Sequence, residues 1–170
     1  KAIAYAIDTE KAIELLSNGR GVKLYTILPY GIAGNEKEVG KHFYEHDLGK
    51  AKEFLKLAGY PDGTGLPPIE VLLSSSTAAT RDAFEFLRDS LSKVGIKVIP
   101  NYKTWPSYLK AIEMGDFQIA SSAWGADYPD PEDFYMLFYG PNAPPGQNAM
   151  SFKSPEYDKL YEEMRYMVNG

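Results

Sequence analysis

Apolar positions along the middle of this chain switch between strand-like runs and helical spacing, and that alternation predicts the architecture. From Thr77 to about Val94, residues Ala83, Phe84, Leu87, Leu91 and Val94 share one face, while Arg81, Asp82, Glu85, Arg88 and Asp89 lie elsewhere. This is the pattern of a helix that covers one side of a sheet. Short apolar runs at Ile69 to Ser74, Ile96 to Tyr102 and Phe117 to Ser122 read as strands, and a second helix, about Pro106 to Met114, separates the last two. The order over 69–123 is therefore β-α-β-α-β. Strands joined by helices are normally parallel with right-handed crossovers, so the expected fold class is α/β, a mostly parallel sheet with helices on its faces.

The flanks follow from helix start and stop signals. Asp8 or Thr9 can cap a helix reaching about Asn18, with Glu10 in its first turn and Gly19 ending it. Between 19 and 46, glycines, a proline and polar residues interrupt every period, which predicts a long irregular connection. Asp47 starts a helix in which Ala51, Phe54, Leu55 and Ala58 recur at i, i+3, i+4 and i+7, and Gly59 and the turn Pro61-Asp62-Gly63 close it. A proline-rich stretch from Tyr128 to Gly146, within a loop region spanning 128–150, carries a short helix near Phe134 to Phe138. Ser154 then caps a last helix, with Pro155 in its first turn and Tyr157, Leu160, Tyr161, Met164 and Val168 as its buried stripe.

Composition narrows the class. With 170 residues, 44% hydrophobic and 24% charged, the chain can bury a core of its own as a single globular domain. A net charge of -5 and 18 scattered basic residues give no footprint for nucleic acid. The absence of cysteine removes disulfides, thiolate nucleophiles and zinc-thiolate sites together. No apolar run approaches the roughly 20 residues a membrane helix needs, and the start at Lys1 lacks both a Met and a signal pattern, which predicts an internal fragment. Thirteen tyrosines suit either a partly wet ligand surface or an ordinary core rim.

Ligands of open α/β sheets bind beyond the carboxyl ends of the strands, which directs attention to Trp124-Gly125-Ala126-Asp127-Tyr128-Pro129-Asp130-Pro131 after the third strand. The indole of Trp124 offers a large apolar face, Gly125 permits close backbone approach, and Asp127 adds a fixed negative charge beside Tyr128, a group suited to a cationic amine. The residues alone leave open a second reading, in which Trp124 anchors the loop to the core and Asp127 caps a turn. Trp105, which opens a helix directly after a strand, has the same two readings.

Three resemblances to catalytic motifs fail on context. His42-Phe43-Tyr44-Glu45-His46 fits H-x-x-E-H, but Asp47 looks like the cap of the following helix, so both histidines lie before it and no third ligand is evident. Gly34 to Lys41 has five residues rather than four between its glycines, and His42 stands where a phosphate loop needs Ser or Thr. Asp127, Asp130, Glu132 and Asp133 do not match a calcium loop and read as a solvated acidic segment. Ser74-Ser75-Ser76 has no nucleophile-elbow frame. A small hydrolase is thus the alternative from another class, and no metal or cofactor is expected.

At this point several segments are similar, in order, to one family. Lys1 to Asp8 reads KAIAYAID, Asp47 to Gly63 contains KAKEFL and AGYPDG, Gly115-Asp116-Phe117 leads into a strand, Trp124 to Pro131 reads WGADYPDP, and Ser154 to Asp158 reads SPEYD. These blocks resemble the cluster 5 extracytoplasmic solute-binding proteins, the dipeptide and oligopeptide receptors of ABC importers. The resemblance implies one lobe of a type II periplasmic-binding-protein-like bilobal receptor, a binder rather than an enzyme. The partners it implies are a peptide ligand, the missing second lobe and the importer permease. It implies a periplasmic or extracellular location, with a lipid anchor, if any, in the preceding part of the protein. In peptide-binding relatives the aspartate matching Asp127 pairs with the ligand's terminal ammonium, and tryptophans matching Trp124 and Trp105 line the cleft. Some relatives carry an arginine for the ligand carboxylate where this chain has Ser121, and others bind oligosaccharides or nickel chelates, so an oligosaccharide receptor is the near alternative.

Overall fold

A computed structural model of the chain describes residues 1–35 and 44–167. Its elements follow from local signals. Helix α1 (Ala2–Ala6), which the sequence pattern does not announce, leads to α2 (Thr9–Ser17), capped by Asp8, whose carboxylate accepts the Lys11 N–H at 3.0 Å. Helix α3 (Leu48–Leu57) is capped by Asp47, which accepts from the Lys50 N–H at 2.9 Å. The Asp47 N–H in turn donates to the Tyr5 carbonyl, so a cap and a tertiary contact share one residue. His42 and most of the Gly34 to Lys41 segment lie outside the described residues.

Strand β1 (Ile69–Leu73), helix α4 (Ala78–Ser92), strand β2 (Val98–Tyr102), helix α5 (Trp105–Met114) and strand β3 (Ile119–Ala120) come next. The sheet order is β2-β1-β3 and both pairings are parallel, with Ile69 opposite Val98 and Val71 opposite Ile119. Successive strand residues face opposite sides. Val71 and Leu73 join Phe84, Leu91 and Val94 of the α4 side, with Ala6, Ala51 and Leu55 from α1 and α3, in one core. Leu72 faces the other side and packs on Tyr108 and Ala111 of α5. Helices therefore cover both faces.

Three positions differ from the periodicity. Ala83 is exposed, because the buried face of α4 runs through Phe84, Leu91 and the adjoining Ser90. Strand β3 is two residues rather than six long. The Gln118 Oε1 accepts the Glu70 N–H at 2.6 Å, and the Tyr108 hydroxyl takes the Ser121 carbonyl, so side chains use ladder groups on both sides of the strand. Leu160 is 59% exposed, since α7 (Pro155–Tyr166) turns Tyr157 and Tyr161 inward instead.

One close approach is set by glycine. A Cβ on Gly63 would stand 1.9 Å from the Gly95 carbonyl oxygen, and both glycines have positive φ, 77° and 84°. The turn after α3 and the turn after α4 can touch only without side chains there.

Candidate functional site

The order β2-β1-β3 means that the chain leaves β1 toward one side and later crosses back to its other side, which puts a crevice at the carboxyl edge of the sheet. Trp105 follows the end of β2 and Trp124 follows the end of β3, so the two tryptophans flank the central strand. Trp105 is 58% exposed and stacks on Tyr108 with the rings 5.6 Å apart and 13° from parallel. Through Tyr108, whose hydroxyl donates to the Ser121 carbonyl, it is joined to the start of the second loop.

That loop, 121–130, is exposed along its whole length. Its form is imposed by helix α6 (Glu132–Tyr135), which follows it. The Trp124 Nε1–H donates to Asp133 Oδ2 at 3.0 Å, and the Asp127 backbone N–H donates to the same oxygen at 3.1 Å. Asp133 is 0% exposed. A buried carboxylate is costly unless it accepts hydrogen bonds, and charge-assisted bonds of this kind are roughly twice as strong as neutral ones. The expected solvated acidic segment is thus corrected at Asp133, which is interior, and at Glu132. The Glu132 carboxylate accepts from the hydroxyls of both Tyr128 and Tyr161 and lies 3.7 Å from the Arg165 Nε.

These bonds set the ionisation of the group. The Tyr128 and Tyr161 hydroxyls hold Glu132 below its ordinary carboxylate range. Tyr128 is pushed up to about 12, first because its proton is held by Glu132, and Tyr161 is raised by burial and then by the same bond.

Trp124, Gly125, Asp127 and Tyr128 are brought together on one braced loop, with Trp105 beyond Tyr108. The Trp124 N–H anchors the loop, as one of its two readings expects, and its ring, 40% exposed, lines a groove of about 510 Å³ with Ile112, Phe117, Ile119, Leu137 and Phe138. Asp127 does not cap a turn with its side chain; only its backbone N–H is engaged. Among the described residues nothing bonds to its carboxylate. A Cβ on Gly125 would meet nothing within 4 Å, so its small size leaves open space beside the loop. Among the described residues, no group of three His, Asp or Glu could hold a metal ion, and no helix is long and apolar enough to cross a membrane. The residues that sequence reasoning missed are Asp133, Glu132 and Tyr108; the one local signal was a pair of carboxylates directly before the apolar Phe134.

A parallel α/β domain that presents a braced, aromatic and acidic loop at the carboxyl edge of its sheet has the form of a ligand-binding domain. The model of the bacterial extracellular solute-binding proteins, family 5 (Middle), matches residues 1–146, and the chain belongs to that family. It is 28% identical to heme-binding protein A of Haemophilus influenzae, over 99% of this chain and 31% of that protein. It is 25% identical to the oligopeptide-binding protein OppA of Bacillus subtilis, over 96% of this chain and 30% of that one. The periplasmic binding protein DppA of Helicobacter pylori, solved in complex with the peptide STSA, superposes with a TM-score of 0.87 at 30% identity, covering 99% of this chain and 32% of that chain. The fold is thus that of family 5 receptors, a type II periplasmic-binding-protein architecture. The chain spans about a third of the length of the curated relatives it matches.

Proposed function

We propose that this chain is one lobe of a two-lobe receptor that captures peptides for an ABC importer, with Asp127 receiving the ligand's terminal ammonium and Trp124, Gly125, Tyr128 and Trp105 lining the cleft. The observation that carries the reading is the contrast within one residue: the Asp127 N–H is fixed on Asp133, while its carboxylate stays exposed and uncommitted. Such a group is an acceptor already aimed, awaiting a cation. At about 4 Å and an effective dielectric near 20, an ion pair is worth roughly 4 kcal/mol gross, less after desolvation. The peptides named with related receptors support the choice of ligand. The second lobe and the importer permease are the partners this reading requires, outside the cytoplasm. The family is one of solute-binding proteins, and in this reading the ligand is released chemically unchanged.

The test is calorimetry on the intact receptor with tri-alanine and its N-acetylated form. Asp127→Asn keeps the shape and removes the charge, and should weaken the free-amine peptide about 10- to 100-fold, as expected for a charged hydrogen bond, with little effect on the acetylated one. Equal affinity for free-amine peptide in wild type and variant would sink the ammonium role and advance the oligosaccharide reading, in which loss of Trp124 or Trp105 dominates.

A further inference from the structure

Apart from bonds within its own turn, every hydrogen bond that residues 122–130 make to the rest of the described chain ends on Glu132 or Asp133. We propose that these two adjacent carboxylates of α6 are positioning residues: Asp133 and Glu132 hold the Trp124 to Tyr128 loop in its ligand-accepting form before any ligand arrives. The proposal rests on the reading of that loop as the ligand site.

The geometry divides the task. Asp133 grips the inner half of the loop, taking the Trp124 indole and the Asp127 amide on a single oxygen. The indole N–H is thereby spent on the protein, so Trp124 offers a ligand its face and not its donor. Because the Asp127 amide is fixed, its side chain starts from a fixed Cα. Glu132 grips the outer half through the Tyr128 hydroxyl and ties it to α7 through Tyr161, which is buried, and Arg165. The neighbouring turn of α6 is secured independently: Phe134 is buried, and the Tyr157 hydroxyl donates to the Tyr135 carbonyl at 2.7 Å. The loop is therefore hung on α6, and α6 is fixed to α7. Asp133 Oδ1 is buried without a hydrogen-bond partner among the described residues, a cost the fold tolerates while the other oxygen takes two donors. An exposed loop with little apolar burial depends on such bonds to enter binding already ordered, and prior order removes an entropic cost from association.

The experiment uses hydrogen exchange of the Trp124 indole N–H in the intact, ligand-free receptor, its resonance identified by loss in Trp124→Phe. We expect that proton to be protected. Asp133→Asn keeps a carbonyl oxygen that can accept both donors and should retain the protection and, within about threefold, the affinity for tri-alanine. Asp133→Leu should lose the protection and at least about tenfold in affinity. Should Asp133→Leu fail to fold, Asp133→Ala serves instead, removing the acceptor oxygen of the Trp124 indole without adding bulk, with faster exchange and weaker binding expected. An unprotected indole in wild type, or full protection in the Leu variant, overturns the proposal, as does lost protection with unchanged affinity. If Asp133→Leu acts as expected while Asp127→Asn leaves affinity intact, the brace stands and the ammonium reading falls.

Discussion

The sheet body and the loop at its edge are held together by different physics. In the body, Val71, Leu72, Leu91, Val94 and Ile96 are almost wholly buried, and cohesion comes from apolar area removed from water, a non-directional effect worth about 1.5–3 kcal/mol for each large side chain fully buried. Residues 121–130 are all exposed, and their cohesion comes from a few directional bonds, one from the Tyr108 hydroxyl to the Ser121 carbonyl and the rest to Glu132 and Asp133. The first kind of interaction fixes a shape with many redundant contacts. The second fixes single atoms and has no redundancy. Stability and recognition should therefore respond to separate substitutions.

The largest break is expected in the body. Leu91→Ala removes a side chain that touches no solvent and should cost about 2–5 kcal/mol, measured by urea denaturation, while the Trp124 indole keeps its exchange rate in the folded fraction. Coupled loss of loop order at low denaturant would show that the two regions are one cooperative unit. An effect of the same order is expected from Gly63→Ala, which forces a Cβ to 1.9 Å from the Gly95 carbonyl oxygen at a positive φ, so that the backbone of one turn must shift. Backbone strain of about 1–3 kcal/mol should appear, read as a lower midpoint in the same denaturation, and an unchanged midpoint would show that the two turns can separate freely.

The smallest effect belongs to the loop and follows pH. Tyr128 is raised to about 12 by its bond to Glu132, so that bond contributes fully below the unfolded tyrosine value of about 10 and is lost as pH climbs toward 12. Glu132 is held below its ordinary value by the Tyr128 and Tyr161 hydroxyls, so its contribution is present above the unfolded carboxylate value of about 4.3 and is lost as pH falls through the lower, folded one. The loop should be tightest between these limits. Fluorescence of Trp124 against pH checks this, and Tyr128→Phe should remove the alkaline arm and shrink the acid arm, since the Tyr128 hydroxyl is the first of the two that hold Glu132 down; an alkaline arm that persists in that variant would break the assignment. Because Tyr128 is solvent-exposed, the amplitude should be small.

Much of this architecture was legible in the chain itself. Asp8, Asp47 and Ser154 cap their helices as their positions predict, because capping is a bond across three residues. The β-α-β-α-β order follows from periods that each element carries within itself. The composition of the Trp124 to Tyr128 loop was also readable, since Trp124, Gly125, Asp127 and Tyr128 stand close together in the sequence. Helix α1 was not, because five residues hold too little period to announce a helix, and it persists by packing on α3. Nor was the length of β3, whose ladder groups are taken by Gln118 and Tyr108. The roles of the acidic residues were decided entirely by tertiary structure. Asp130, Glu132 and Asp133 look alike in a string, yet burial makes Asp133 an anchor, and Tyr161, 29 residues away, makes Glu132 a bridge. Local signals specify what a segment can form; the environment of a charge is set by whatever the fold brings to it from a distance, and no local pattern encodes that.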